Sequence, residues 1–361
     1  MPYPDEAVGF QILSSDKCTD FKKQSFKLKP FEDHDVDIKI MACGICSSDI
    51  HTITGGWGKQ PFPLCVGHEI IGKVIRVGSK VTNVKVGDRV GVGAQVDSCR
   101  ECRQCKNGNE NYCPNYWIDT YGSKWPRSDG VISQGGYSSH IRTPEDFVFP
   151  IPEKLETNTT APMLCAGITV YSPLVRNGCG PGKKVGILGL GGLGHFGVMF
   201  AKALGAETWV ISRTRAKEAE AKKLGADGFI ATAEQGWFKE HRFSFDIIIN
   251  CANSSKGFPI DDYISMMDVH GRFISVGLPE DGQAQPKAGT AFKNGVLMGS
   301  SHLGNRQEVL DMLNLAAEKG IKGWVEEVPI NAENLAKCVE RMRKGDVRYR
   351  FTLTEFEKEF N

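Results

Sequence analysis

Neither sign of charge dominates this sequence: Lys and Arg total 44 against 43 Asp and Glu over 361 residues, for a formal net charge of +1. The bases gather neither into a run nor into a stripe interleaved with aromatics, so the electrostatic footprint of a nucleic-acid binder is missing. Long hydrophobic runs are equally scarce. The most membrane-like stretch, VGILGLGGLGHFGVMFA from Val185 to Ala201, carries six glycines and His195, a composition ill suited to lipid. The opening residues MPYPDEAVGFQIL place acids where a signal peptide needs bases and have no sustained apolar core. No internal repeat and no low-complexity tract is present. These absences lead us to expect a cytoplasmic protein with neither nucleic acid nor membrane as partner.

The length favours two domains, each able to bury its own core without disulfides. The first part reads as β-rich and barrel-like. VDIKIMA (Val36–Ala42) alternates apolar and polar residues, and IIGKVIRVGS and GDRVGVGAQ follow as strand-like runs cut by glycines. After about residue 160 short apolar runs alternate with helical stretches: KKVGILGL, HFGVMFAKALGA, ETWVIS, RAKEAEAKKLGAD, GFIAT, FDIIINCA and GRFISVGL. That alternation predicts a doubly wound parallel sheet.

Cysteine, by contrast, is plentiful, with twelve in the chain. In a reducing compartment thiols point to metal ligation or burial rather than to cross-links. CRECRQCKNGNENYC sets Cys99, Cys102, Cys105 and Cys113 on one short loop. Four thiolates there make a closed tetrahedral shell for zinc, which leaves no position for a substrate and so acts as a clamp. An iron–sulfur cluster is the strongest rival, because Pro114 follows Cys113. The ferredoxin run wants three residues before its last cysteine, however, and this loop has seven.

A second set of ligands is dispersed. ACGICSSDIH holds Cys46, VGHEIIG holds His68 and Glu69, and APMLCAGITVYSPL holds Cys165. Two sulfurs and one imidazole leave a tetrahedral position open, as a catalytic zinc requires. Lone cysteines and a lone histidine are also ordinary core residues, so the trio carries little by itself. Ser48 and His51 lie three apart in a segment that reads as a short helix, where a hydroxyl and an imidazole can share a face.

GLGGLG (Gly189, Leu190, Gly191, Gly192, Leu193, Gly194) follows a strand and opens a helix. In that setting G-x-G-x-x-G lets the backbone approach a pyrophosphate on the helix N-terminus. About twenty residues on, where an acid would hold a ribose 2′-hydroxyl, the chain reads VISRTRAKE and offers Ser212, Arg213 and Lys217. A 2′-phosphate suits that charge.

CGICSSDIH, GHE, GVGAQ, the four-cysteine loop, SQGGY, NGCGPGK, GLGGLGH and KGDVRYRF occur in this order along nearly the whole chain. With these the sequence resembles the zinc-containing medium-chain alcohol dehydrogenases, most closely the NADP-dependent cinnamyl alcohol dehydrogenase branch in its fungal form. The resemblance implies an α/β fold, with a GroES-like β-rich catalytic domain over 1–160 and 304–361 and a Rossmann NADP-binding domain over 161–303. It implies two zinc ions per chain: one on Cys46, His68 and Cys165, with Glu69 as a fourth ligand when substrate or water is absent, and one on the four-cysteine loop. Asp49 would steady His68, Ser48 would take the alcohol proton and His51 would pass it to solvent.

Along NADP(H) the resemblance places Thr169, Gly277, Ser300 and Arg348, with Arg350 an equal candidate for the phosphates. Trp57 would line an apolar substrate cleft, for which Trp117, Tyr121, Met163, Phe292 and Leu303 are further candidates. Ser47 stands where relatives often carry glycine, histidine or arginine. A homodimer through the cofactor domains, near NGVLMGSSHLG, is implied. The expected activity is interconversion of primary alcohols and aldehydes, mainly as aldehyde reduction. A zinc-free quinone reductase and a non-catalytic NADP-binding protein are the rivals.

The residues around Arg213 predict a ratio. A charged hydrogen bond is worth about 1.5–3 kcal/mol, so kcat/KM with NADPH should exceed that with NADH by roughly ten- to a hundredfold. A preference for NADH in the same assay contradicts the reading.

Overall fold

The computed structural model describes residues 5–126, 128–282, 284–287 and 289–360. The chain folds into two compact units, Met1–Cys165 with Asn305–Asn361, and Ala166–Gly304.

In the first unit the long strand Asp35–Ile45 is the spine, because both of its edges are used. One edge pairs antiparallel with Glu69–Val77, from Val36↔Val77 to Gly44↔Glu69. The other edge is shared: His140–Pro144 takes its first half, and Arg350–Thr354 takes its end through Phe351↔Ile45 and Leu353↔Cys43. Arg89–Val92 and Phe149–Pro150 extend the sheet on one side and Val325–Pro329 on the other. Ile38, Ile40, Ile70, Val74, Val90 and Phe351 fill the interior. A strand paired on both edges satisfies its backbone without water, and so tolerates burial of nearly every side chain.

Some of the charge in this interior enters as matched pairs. The Arg142 guanidinium forks onto Asp37, with Nε donating at 2.6 Å and Nη2 at 3.1 Å, and Lys29 donates to Asp35. Such pairs satisfy groups that burial would otherwise leave costly.

The second unit is a six-stranded parallel sheet in the order Gly228–Ala231, Glu207–Ser212, Lys184–Leu188, Phe245–Asn250, Met267–Ser275, Leu297–Ser300. The chain runs outward from Lys184–Leu188 in one direction, then returns and runs outward in the other. This doubly wound order opens a crevice at the carboxyl ends of the two strands where the direction reverses, Lys184–Leu188 and Phe245–Asn250. The charged run expected as one helix is a short 3-10 turn, Arg215–Lys217, followed by the helix Glu218–Lys223.

The boundary lies a little later than 160. Residues Ala161–Leu164 form a fully buried 3-10 turn that belongs to the first unit. Gly91 and Gly93 make room for it, since a Cβ on either would press on Leu164 at 2.7 or 2.8 Å. The chain rejoins that unit at Asn305, which caps the helix Arg306–Lys319 by accepting the Glu308 amide at 2.7 Å. Among the described residues no helix is long and apolar enough to cross a membrane.

Candidate metal centres and cofactor site

The four cysteine sulfurs of the 99–113 loop converge within 4.8 Å of one another. Cys99 and Cys113 are 3.4 Å apart, Cys102 and Cys105 3.5 Å, and Cys99 and Cys105 3.9 Å. A disulfide would need about 2.05 Å, whereas sulfurs held at ~2.3 Å from a tetrahedral cation lie about 3.8 Å apart. Amide N–H groups already face these sulfurs: that of Cys102 donates to Cys99 at 3.4 Å and that of Cys105 to Cys102 at 3.5 Å. Such donors favour thiolate over thiol.

The same loop is bolted to the returning chain. Buried Glu110 accepts the Arg306 amide at 2.6 Å and its Nε at 3.2 Å, and Asn305 donates to the Gly108 carbonyl at 2.7 Å. The lobe is thus a clamp within the first unit.

The second cluster brings together residues far apart in sequence. Cys46 follows the spine strand and caps the helix Ser47–Ile53. His68 precedes the strand Glu69–Val77, whose register sets Glu69 opposite Gly44. A Cβ at Gly44 would overlap the Glu69 carboxylate, which gives the glycine of ACGIC its reason. Cys165 follows the buried 3-10 turn. One ligand atom from each of Cys46, His68, Glu69 and Cys165 lies within 4.8 Å of the others, and all four residues are buried. Cys46 and Cys165 Sγ are 3.9 Å apart.

His68 Nε2 and Glu69 Oε2 are buried with no hydrogen-bond partner. Orphaned polar atoms in an interior are costly. Two sulfurs at the spacing of a tetrahedral edge, an imidazole nitrogen and a carboxylate oxygen, all aimed at one point, fit a zinc ion. A hydrogen bond from Cys165, with the positive charge of Arg350, holds the Cys46 thiol well below its ordinary range against the effect of burial. Burial pushes the Glu69 carboxyl up to about 8, against the pull of Arg350.

Three sequence expectations change here. Arg350, held loosely for the cofactor phosphates, is buried and ion-paired with Glu69 Oε1, while Arg348 is exposed and its amide donates to Glu326 at 3.2 Å. Tyr121, expected as an apolar wall, sets its hydroxyl 3.1 Å from His68 Nδ1. Among the other apolar candidates, Phe292 is 90% exposed and Met163 is 0% exposed, so neither reads as a cleft wall, and Leu303 is buried at a positive φ of 51°. Trp117 is half-buried.

Asp49 Oδ1 lies 3.1 Å from His68 Nδ1. With Nδ1–H donating there, Nε2 keeps its lone pair for a metal. Ser48 Oγ is 3.5 Å from Cys46 Sγ. His51, one turn on, stacks on Trp57 with ring centroids 4.8 Å apart and planes 21° apart. Ser47 is exposed.

In the second unit the glycine-rich turn follows Lys184–Leu188. Gly189 has φ +92°, and a Cβ at Gly194 would overlap the Gly189 carbonyl. Nothing lies within 4 Å of a Cβ built on Gly191, so the loop face is open. Leu193 caps the helix Gly194–Ala203, with Gly192 just before it. Ser212 ends Glu207–Ser212, Arg213 beside it is exposed, and Lys217 Nζ donates to the Leu190 carbonyl at 2.6 Å. Arg215 is instead tied to Glu234 and Glu218. A cleft at the carboxyl ends of the later strands is lined by Asn250, Ala252, Ser275, Gly277 and Ser300. Thr169 is buried in the helix Ala166–Arg176. The open loop, the cleft and the basic flank fit a dinucleotide with a 2′-phosphate.

Residues 32–153 match the alcohol dehydrogenase GroES-like domain family, and residues 192–318 the zinc-binding dehydrogenase family. NADP-dependent alcohol dehydrogenase 6 of Saccharomyces cerevisiae is 49% identical over 100% of both chains. Probable cinnamyl alcohol dehydrogenase 3 of Oryza sativa is 43% identical over 96% of this chain and 93% of its own. Among solved structures, a cinnamyl alcohol dehydrogenase from Sorghum bicolor superposes with a TM-score of 0.91 at 36% identity, covering 97% of each chain. One from Helicobacter pylori, complexed with NADP(H), superposes with a TM-score of 0.87 at 30% identity over 97% of this chain and 98% of that one.

The Glu69–Arg350 pair makes a stability prediction. Removing one member of a buried ion pair strands the other, at a cost of about 3–5 kcal/mol. Arg350→Leu should lower stability by that amount in chemical denaturation, and an unchanged midpoint contradicts the pairing.

Proposed function

Because the chain belongs to the zinc-containing medium-chain alcohol dehydrogenase family, we propose that it interconverts primary alcohols and aldehydes with NADP(H), mainly as an aldehyde reductase of aromatic and medium-chain aliphatic substrates. The observation that carries this reading is the buried convergence of Cys46, His68, Glu69 and Cys165. It supports a Cys2His centre with one position left for substrate, which a zinc-free quinone reductase would not need.

When bound, the zinc ion polarises the carbonyl oxygen and NADPH supplies the hydride. The chain's own residues handle the proton and the placement. As the carbonyl π bond opens, the Ser48 hydroxyl gives its proton to the oxygen and His51, three residues on along the same helix, replenishes it. Asp49 holds the His68 ring in the tautomer that presents Nε2. Arg350 balances Glu69, which keeps one carboxylate oxygen free as an alternative ligand. The indole of Trp57 both steadies the His51 ring and offers an apolar wall. Such walls discriminate weakly, with one methylene worth roughly 1–3 kcal/mol, so broad specificity is expected. Lys217, fixed over the glycine-rich turn, and Arg213 receive the 2′-phosphate, with Ser212 beside them. Thr169, Gly277 and Ser300 lie along the rest of the cofactor.

The four-cysteine loop holds a second, structural zinc. The protein works as a homodimer, for which the edge strand Leu297–Ser300 offers an unpaired ladder with Leu297 51% and Met298 40% exposed. Twelve cysteines without a disulfide among them suit the reducing cytoplasm.

A panel of cinnamyl, benzyl and straight-chain aldehydes assayed with NADPH tests the reading. General acid–base groups contribute about 10²–10⁴-fold, so Ser48→Ala should lower kcat within that range at unchanged thermal stability. Turnover of quinones in place of aldehydes, indifferent to Ser48→Ala, would overturn it.

A further inference from the structure

The stretch Gln134–Tyr137 bears no part of the chemistry above, yet it is laid against the residues that carry it. Gln134 Oε1 accepts the Cys65 amide at 2.7 Å. The Gly135 amide then donates to the Cys65 carbonyl at 2.7 Å, that of Gly136 to Gly67 at 2.7 Å, and that of Tyr137 to Val66 at 3.0 Å. Both glycines are there for close approach. A Cβ at Gly135 would overlap the Gly67 carbonyl, and one at Gly136 would overlap Ile70 and crowd Cys43. The segment is a strap drawn across the three residues just before His68.

The strap delivers one large side chain. Tyr137 is 1% exposed, and its ring lies where a Cβ on Gly67 would sit, 2.5 Å from the nearest ring atom. Gly67 itself has φ +101°, a second reason for glycine there. The phenol reaches Asp49, donating to Oδ2 at 3.0 Å. Asp49 is 0% exposed, and its two oxygens accept from four donors: the Cys46 amide at 2.8 Å, the Gly67 amide at 3.1 Å, Tyr137, and His68 Nδ1 at 3.1 Å. A carboxylate offers about four acceptor sites, so this one is filled. Two of its donors are a metal-cluster residue's backbone and another's ring; a third is the backbone next to that ring. Tyr137 anchors it to an element that carries no ligand.

We propose that Tyr137 is a positioning residue of the catalytic centre: through Asp49 it fixes the His68 ring and the Cys46 backbone so that their ligand atoms converge before a metal arrives. This rests on the metal reading above. Without the phenol, Asp49 loses its tie to the strap and can shift with the parts it is meant to hold. Outer partners of metal ligands are typically worth ten- to a hundredfold in metal affinity.

The test compares Tyr137→Phe, which keeps the ring and removes the hydroxyl, with wild-type protein, following zinc release into dipicolinate by metal analysis. Wild type should release one ion slowly, Tyr137→Phe should release that ion roughly ten- to a hundredfold faster, and the ion on the four cysteines should leave both at the same rate. With cobalt in the inner site, the visible ligand-field bands should shift in Tyr137→Phe, which a loss of general stability would not cause. Because Tyr137 acts through Asp49, the Asp49→Asn/Tyr137→Phe protein should release zinc no faster than Asp49→Asn alone. That comparison also serves if Tyr137→Phe by itself folds poorly. Release from Tyr137→Phe at the wild-type rate, or an additive double variant, overturns the proposal. A wild-type chain that binds a single zinc would instead sink the metal reading on which it rests.

Discussion

Two thiols 3.9 Å apart, an imidazole nitrogen and a carboxylate oxygen share one buried point. Without a cation this is an unfavourable arrangement, because a buried orphan acceptor costs about 1–3 kcal/mol and more when charged. Natural interiors avoid such clusters unless something compensates. Here the surroundings lessen the strain without removing it: Arg350 takes one oxygen of Glu69, and Cys165 donates toward Cys46. The remaining unpaired valences all face inward, and they are what a divalent ion would satisfy. The placement of the helix of Ser48 and His51 and of the strap beneath Asp49 follows from the need to hold that point.

The fold reaches this point from three directions. The spine strand Asp35–Ile45 is followed by Cys46 and turns at once into the helix of Ser48, Asp49 and His51. Its neighbour brings His68 and Glu69 in register with Gly44, and the C-terminal strand supplies Arg350 beside them. The buried turn before Cys165 closes the set. The candidate metal ligands and Arg350 therefore all belong to the first unit, while the glycine-rich turn and its basic flank belong to the second.

Much of this was legible in the sequence, and what was legible follows a rule of distance. The four-cysteine loop and the glycine-rich turn are short runs whose spacing states their purpose. The parallel sheet showed itself as apolar runs alternating with helices. Cys165 was different: it lies 119 residues from Cys46, and as a lone thiol it carried little weight until the resemblance joined it to the set. The Arg350–Glu69 pair spans 281 residues and the Tyr137–Asp49 bond 88, so periodicity could reveal neither. SQGGY was visible as a motif but silent about its use, since its glycines make sense only against the backbone of residues 65–67. Tyr121 is legible as an aromatic candidate for the cleft, but sequence does not show that its hydroxyl points at His68. The domain boundary moved by a few residues because the turn at Ala161–Leu164 is held by packing on Gly91 and Gly93, which leaves no mark on local composition.

We infer that this chain holds two metal centres of different character, one closed on four sulfurs and one open on two sulfurs and an imidazole. Zinc content together with the X-ray absorption edge, measured on wild type and on Cys46→Ser, tests it most directly. Two ions per chain in wild type, falling to one in the variant with a shell of sulfur alone, is the predicted result. A single ion in wild type, or two retained by Cys46→Ser with an unchanged edge, would contradict it.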